Sequence, residues 1–370
     1  HKMEAVVLWM SMSDDLFSQI FEMFNQPGPV NLRLAGEVAR HLTGERQPVD
    51  PWAAEEFREL TRLAEHKVEQ VAPFAVAPAT DVLPLDGREW ADRNMEGFGY
   101  LVEPFGQMVD TSGAGPAAEM LKPLGPALAG MQLGTLVGSL AGWAMAGYDT
   151  GLPLRGDDTI SYIVPTIDRF ISEHGFEGRN VRLWVALEEV AHRAIYRIPF
   201  TVDAVVAHLG ALAETMRVTP DRLTELMGGL DVSSMGTEGL DPERLAGLFD
   251  TPETRNAAAE LSSLLGLIAG YRRLLVERAA EGLLGELGQM IGARDLERDL
   301  GDQIQGSPIA AAFVTADDIG AGREFCLDVE RRFGPDQLAS MITREGRLPT
   351  AGEITDPVAW AARVLLDDLD

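Results

Sequence analysis

The chain has 370 residues, 46% apolar and 24% charged, which suits a globular protein with a large buried core. Its formal net charge of −27 argues against nucleic acid and anionic membrane surfaces as partners, because both call for clustered Lys and Arg. The single cysteine, Cys326, excludes an internal disulfide framework and a Cys-rich zinc site, and fits a cytoplasmic protein.

Residues 1–12 read as an N-terminal extension or cloning remnant, with His1-Lys2 ahead of Met3. The apolar run Met3 to Met12 is too short, and lacks the basic start, for a secretory signal. Residues 13–370 read as one mostly helical domain, with a sub-boundary available in 218–251. Ser13 opens a short helix ending near Phe24, broken by Pro27-Gly28-Pro29. Helical spacing of Leu, Ala, Val and Phe predicts helices over Val30–Leu42 and Pro51–Val71, the second with Asp50 as N-cap and Pro51 at its first position. Pro73 to Pro84 is a Pro-rich connector, and Arg88 to Val109 is helical with a break near Pro104.

Pro123 to Tyr148 contains no charged residue, and Gly130, Gly134, Gly138 and Gly142 recur every four positions. One face of that helix is therefore bare backbone, made for very close packing. The same pattern serves membrane helix pairs, but Gly, Ser, Thr and Gln dilute the hydrophobicity and no basic cluster flanks it. It reads as a buried core helix, with a membrane-associated protein as the alternative. Asp149 to Asp158 is a Gly/Pro/Asp loop, and Thr159 to Val164 alternates as a strand that Pro165 ends. Helices follow over Ile167–His174, 181–200 and Val202–Met216; Val218 to Thr251 is loop and short helix. Pro252 to Met290 reads as one long or kinked helix, Asp295 onward as loop, and Gly320 to Phe333 as helix. The fold class is mainly α, with a small β component near 159–164.

The stretch 181–200 carries the chemistry. Glu188 and His192 lie four residues apart, one helical turn, on the stripe that also holds Trp184 and Ile195. Glu188-Glu189-Val190-Ala191-His192 is one residue away from H-E-x-x-H, in which two His bind zinc and Glu is the general base. Here His192 offers one zinc ligand, Glu188 a carboxylate ligand and Glu189 the base. A third ligand has to come from elsewhere, since no two of the six His are i and i+4. A metal-free account also fits: Glu188 pairs with His192, and Glu189 with Arg193, as ordinary i,i+4 helix pairs. The acidic pairs Asp157-Asp158 and Asp317-Asp318 read as caps or turns, and Cys326 as a small packed apolar group. Gly113-Ala114-Gly115 lacks the setting of a phosphate cradle, and no nucleophile elbow or P-loop is present.

Several segments, in order, resemble one family. They are Gly28-Pro29-Val30-Asn31, the glycine helix running into Gly147-Tyr148-Asp149, and Tyr162-Ile163-Val164-Pro165. Leu183-Trp184-Val185-Ala186-Leu187 then leads into Glu189 and His192, and the tail holds Leu348-Pro349-Thr350, Glu353, Asp356-Pro357 and Trp360. Together they resemble the zincin-like hydrolases found mainly in actinobacteria, some of them labelled by association with biosynthesis of a deazaflavin coenzyme. The resemblance implies a zincin-like helical core, an intact H-E-x-x-H and a third zinc ligand from a Glu-Gly pair on a later helix. Here Glu188 replaces the first His, and Ala269-Gly270 stands where the Glu-Gly pair belongs. Arg272 and Arg273 bring positive charge to the same place, available to neutralise Glu188 or Glu189. If that register is shifted, Glu260 or Glu277 supplies the ligand instead.

The resulting expectation is a zincin-like hydrolase relative with a degenerate site and no bound zinc, serving as a binding or scaffold module for a protein or peptide. The alternative is an active metal-dependent hydrolase or peptidase, with zinc on His192 and Glu188 and Glu189 as base.

Overall fold

The structure, a computed structural model, describes residues 28–106, 124–156, 158–216, 251–299 and 314–367. The expected helix at 13–24, the Gly113-Ala114-Gly115 stretch, Asp157 and nearly all of the 218–251 region lie outside these residues.

In the first half, α1 (Leu32–Thr43) starts at Asn31, whose side chain accepts the Leu34 N–H. It is followed by α2 (Ala53–Glu69) and then by β1 (Asp81–Leu85), which the sequence reading took as connector. Pro84 lies inside β1, where the missing N–H is tolerable only at a sheet edge, so the proline masked the strand. Asp86 caps α3 (Gly87–Asn94) through the Glu89 N–H. A 3₁₀ turn, Glu96–Leu101, and the short α4 (Glu103–Gly106) complete the segment expected as one broken helix. Gly97, within the 3₁₀ turn, lies so close to the Arg155 carbonyl oxygen that a Cβ there would collide with it.

The uncharged stretch forms α5 (Leu124–Trp143), packed on α1. A Cβ at Gly130 or Gly134 would run into the carbonyl oxygen of Asn31 or Ala35. The glycine face thus meets backbone of this same chain. Among the described residues, no single helix is long and apolar enough to cross a membrane.

β2 (Thr159–Ile163) runs parallel to β1, in register from Asp81 opposite Thr159 to Leu85 opposite Ile163. Pro165 does not merely end β2; it occupies the first turn of α6 (Val164–His174), where its missing N–H costs nothing. The central helix is α7 (Gly178–Tyr196), capped by Glu177, which accepts from the N–H groups of Arg179 and Asn180. Pro199 then opens α8 (Pro199–Thr215).

The second half begins with α9 (Pro252–Ala279), capped by Thr251. The helix expected to reach Met290 instead breaks beyond Ala279, where Gly282 takes a left-handed φ of +75°. It resumes as α10 (Leu287–Asp299), so Asp295 is helical and not the start of a loop. α11 (Ala316–Phe333) starts four residues before the expected Gly320: Thr315 and Asp318 form a capping box, the role foreseen for the second acidic pair. α12 (Pro335–Thr343), α13 (Ala351–Ile354) and α14 (Pro357–Asp367) close the chain. α7 packs on both α2 and α9, and α9 also packs on α8 and α11. At the α9–α11 crossing Gly266 and Gly270 of α9 meet Gly322 of α11 backbone to backbone. Cys326 is fully buried, as foreseen.

Candidate functional site

Four elements place charged groups beside the middle of α7. The helix itself supplies Glu188, Glu189 and His192; α9 supplies Arg272 and Arg273; α10 supplies Arg294 and Arg298; and the 3₁₀ turn Tyr148–Thr150 supplies Asp149. A narrow cleft of about 20 Å³ opens between them, with Trp184 on its wall.

Glu188 does not pair with His192. Its Oε1 accepts the Trp184 indole N–H at 3.0 Å, and its Oε2 lies 2.7 Å from the Nε of Arg272. Arg272 is 3% exposed, and its Nη1 comes to 3.4 Å from Nδ1 of His192. A single guanidinium therefore touches both residues that were candidates for holding a metal. Burial and the Arg272 and Arg298 charges hold the fully buried His192 well below the usual imidazole range, so its ring is neutral. The ring stacks on Tyr196 and lies tilted against Tyr148, and its Nε2 is buried without a hydrogen-bond partner.

Glu189 points elsewhere. Its Oε2 accepts the Tyr148 N–H at 2.8 Å, and the Gly147 amide also faces its carboxyl. Burial pushes it up to about 8, against the pull of these two amides. The expected Glu189–Arg193 hydrogen bond does not form, because Arg193 is claimed by groups outside the helix. Its Nε donates to Asp158 at 2.9 Å and its Nη1 and Nη2 to the carbonyls of Ala77 and Pro78. Asp158 also pairs with Arg197, so the described member of the first acidic pair is an ion-pair partner and not a turn cap.

Asp149 is the other anion of the cleft. It accepts from Nη2 of Arg294 at 2.6 Å, Nη2 of Arg298 at 2.7 Å and the Met145 N–H at 2.9 Å. Burial alone would raise its pKa, but the two guanidiniums outweigh it and hold Asp149 well below the usual carboxylate range.

The donor set does not fit zinc. Three protein ligands are needed, and Glu188 and His192 are engaged by Arg272. Ala269 is fully buried and carries no donor. Neither reserve ligand reaches the site: Glu277 is bound by Arg323, and Glu260 accepts the Ala351 N–H. Among the described residues, the group of three donors close enough for a metal is Glu173, His174 and Glu297, which is largely exposed and does not include His192.

Spacing located Glu188, Glu189 and His192 on α7 but assigned partners within the helix. It missed Asp149, Arg294 and Arg298. The signal for the two arginines is their i,i+4 spacing, which brings them to one face only because the segment through Asp295 is helical.

No curated protein matches the chain. Among solved structures, the chain resembles a candidate hydrolase with a novel fold from Chloroflexus aurantiacus. The TM-score is 0.61 at 23% identity, over 90% of this chain and 98% of that one, a likeness of fold. Residues 30–361 match the zincin-like metallopeptidase family, and the chain belongs to it.

Proposed function

We propose that this protein is a metal-free zincin relative, a pseudo-hydrolase whose metal position has been taken over by a guanidinium, and that it works as a binding or scaffold module. The observation that carries this reading is the placement of Arg272, ion-paired to Glu188 and against His192. A fixed positive charge balances Glu188 and repels a divalent cation in a site with little solvent to screen it. Glu189, the residue that would serve as general base, gives its carboxyl to the amides of the Tyr148 turn. It is therefore a fold-holding group in this reading and not one that moves a proton to a substrate.

The test is elemental analysis of protein purified without metal and then exposed to zinc. Less than one-tenth of an equivalent should remain after desalting, and peptide or ester hydrolysis should not exceed that of His192→Ala. One tightly held zinc per chain, lost in His192→Ala, with turnover abolished by Glu189→Gln, would overturn the proposal in favour of an active metal-dependent hydrolase. A gain-of-function variant probes the same point. Glu188→His with Ala269→Glu and Arg272→Ala should bind zinc where the parent does not.

A further inference from the structure

We propose that Glu173, His174 and Glu297 form an exchangeable site for a divalent metal of the zinc class, separate from the α7 motif and independent of how that motif is read. Glu173 and His174 end α6, and Glu297 lies in α10. One donor atom from each residue converges, so that all three lie within 4.8 Å of one another. Nε2 of His174 stands 3.1 Å from Oε1 of Glu297. Ligands about 2.0–2.2 Å from zinc in a tetrahedron are roughly 3.4 Å apart. The set therefore closes with the kind of shift that an exposed side chain such as Glu173 makes freely.

Charge gives the reason for a cation. Arg294 and Arg298 are matched by Asp149 and Glu297, and Arg272 and Arg273 by Glu188 and Asp295. Glu173 is left over: it makes no ion pair among the described residues, and it lies beside a carboxylate already paired with Arg294. Two carboxylates this close repel each other, in a chain whose net charge is −27. The C-terminal end of α6 adds negative partial charge at the same point.

Two of the ligands are held from behind. Oε2 of Glu297 accepts from Nη1 of Arg294 at 2.7 Å, and that 5% exposed guanidinium is anchored in turn on Asp149 and the Trp143 carbonyl. Metal-bound carboxylates are oriented by outer hydrogen bonds of this kind. The His174 ring packs against Phe170 and Phe176, with centroids 4.6 and 5.9 Å away. An imidazole in the set selects zinc, copper or nickel over magnesium and calcium. The side chains of His174 and Glu297 are 31% and 26% exposed, so water completes the coordination and the ion comes off on desalting.

The experiment is isothermal titration of the full chain with zinc chloride in a non-chelating buffer, with parallel titrations of magnesium and calcium. Zinc should fill one saturable site. His174→Ala, Glu297→Gln and Glu173→Gln should each weaken it about tenfold or more, since losing even an outer partner of a metal ligand costs that much. Glu173→Gln, at an exposed position, carries the test if Glu297→Gln disturbs Arg294. His66→Ala, at another exposed histidine, should leave the affinity unchanged. Zinc heats that do not saturate, or that saturate identically in the three variants, overturn the site. Magnesium or calcium binding as tightly as zinc overturns the metal class. Zinc binding that survives His174→Ala and vanishes in His192→Ala puts the ion on α7, and overturns both this inference and the pseudo-hydrolase reading. Binding lost in His174→Ala and kept in His192→Ala upholds both.

Discussion

Helix α7 carries one buried arginine, Arg193, and meets another, Arg272 of α9, and the two are held in opposite ways. Arg193, 1% exposed, has its hydrogen bonds filled by Asp158 and two backbone carbonyls of the segment leading to β1. Arg272, 3% exposed, touches Glu188 and His192 without a well-aligned hydrogen bond at its Nε, and leaves Nε2 of His192 unpartnered. The first is a staple between α7 and the small sheet. The second is an ion seated among groups that are not shaped for it. A buried ion pair stabilises only when its remaining valences are met, so similar burial hides very different contributions.

The largest effect should come from removing the staple. Arg193→Met leaves the carbonyls of Ala77 and Pro78 without donors and Asp158 with Arg197 alone; it should cost about 3–5 kcal/mol in urea unfolding. A loss under about 1 kcal/mol would erase the contrast between the two arginines.

Next comes the pH dependence of the cleft. The Glu189 pKa is raised by folding, to about 8 from an ordinary carboxylate value near 4.5. Folding then favours the protonated form, so its contribution is complete below about pH 4.5 and is lost as pH rises to about 8. The slope over that window is on the order of 1.4 kcal/mol per pH unit. Asp149 has the opposite sign: its depressed pKa makes its contribution complete at neutral pH and lost on acidification. Urea unfolding of Glu189→Gln across pH 5 to 8 should show a flatter profile than the parent, and an unchanged slope would remove Glu189 as its source.

The smallest effect should come from the poorly seated pair. The double variant Glu188→Gln with Arg272→Met removes both charges while keeping similar volume, and should destabilise by less than about 1 kcal/mol. A loss as large as that of Arg193→Met would mean that the two arginines are equivalent after all.

Much of the helical layout could be read from spacing. The amphipathic run around Glu188 and His192 sets α7, and the uncharged glycine helix becomes α5, which starts where expected but stops at Trp143, five residues before Tyr148. Two kinds of information were out of reach. β1 was hidden because a strand containing Pro84 carries a loop signature, and only its pairing with β2 reveals it. Side-chain partners were misassigned because i,i+4 geometry offers Glu189 to Arg193, whereas Asp158, 35 positions away in sequence, takes Arg193 in the fold. The same holds for Arg272: its charge near the centre was legible, but its choice of Glu188 over Glu189 depends on how α9 crosses α7.

The clamp between Glu189 and the Tyr148 amide has a consequence for how such chains are recognised. Replacing Glu189 would strip an acceptor from the turn that also carries Asp149 to Arg294 and Arg298. That glutamate is therefore held in place by architecture whether or not any water is ever activated beside it. A motif letter kept for the sake of a turn looks the same, in a string of residues, as one kept for catalysis. Under the reading proposed above, the position that separates working relatives from silent ones is 272, where an arginine pairs with Glu188 of the helix.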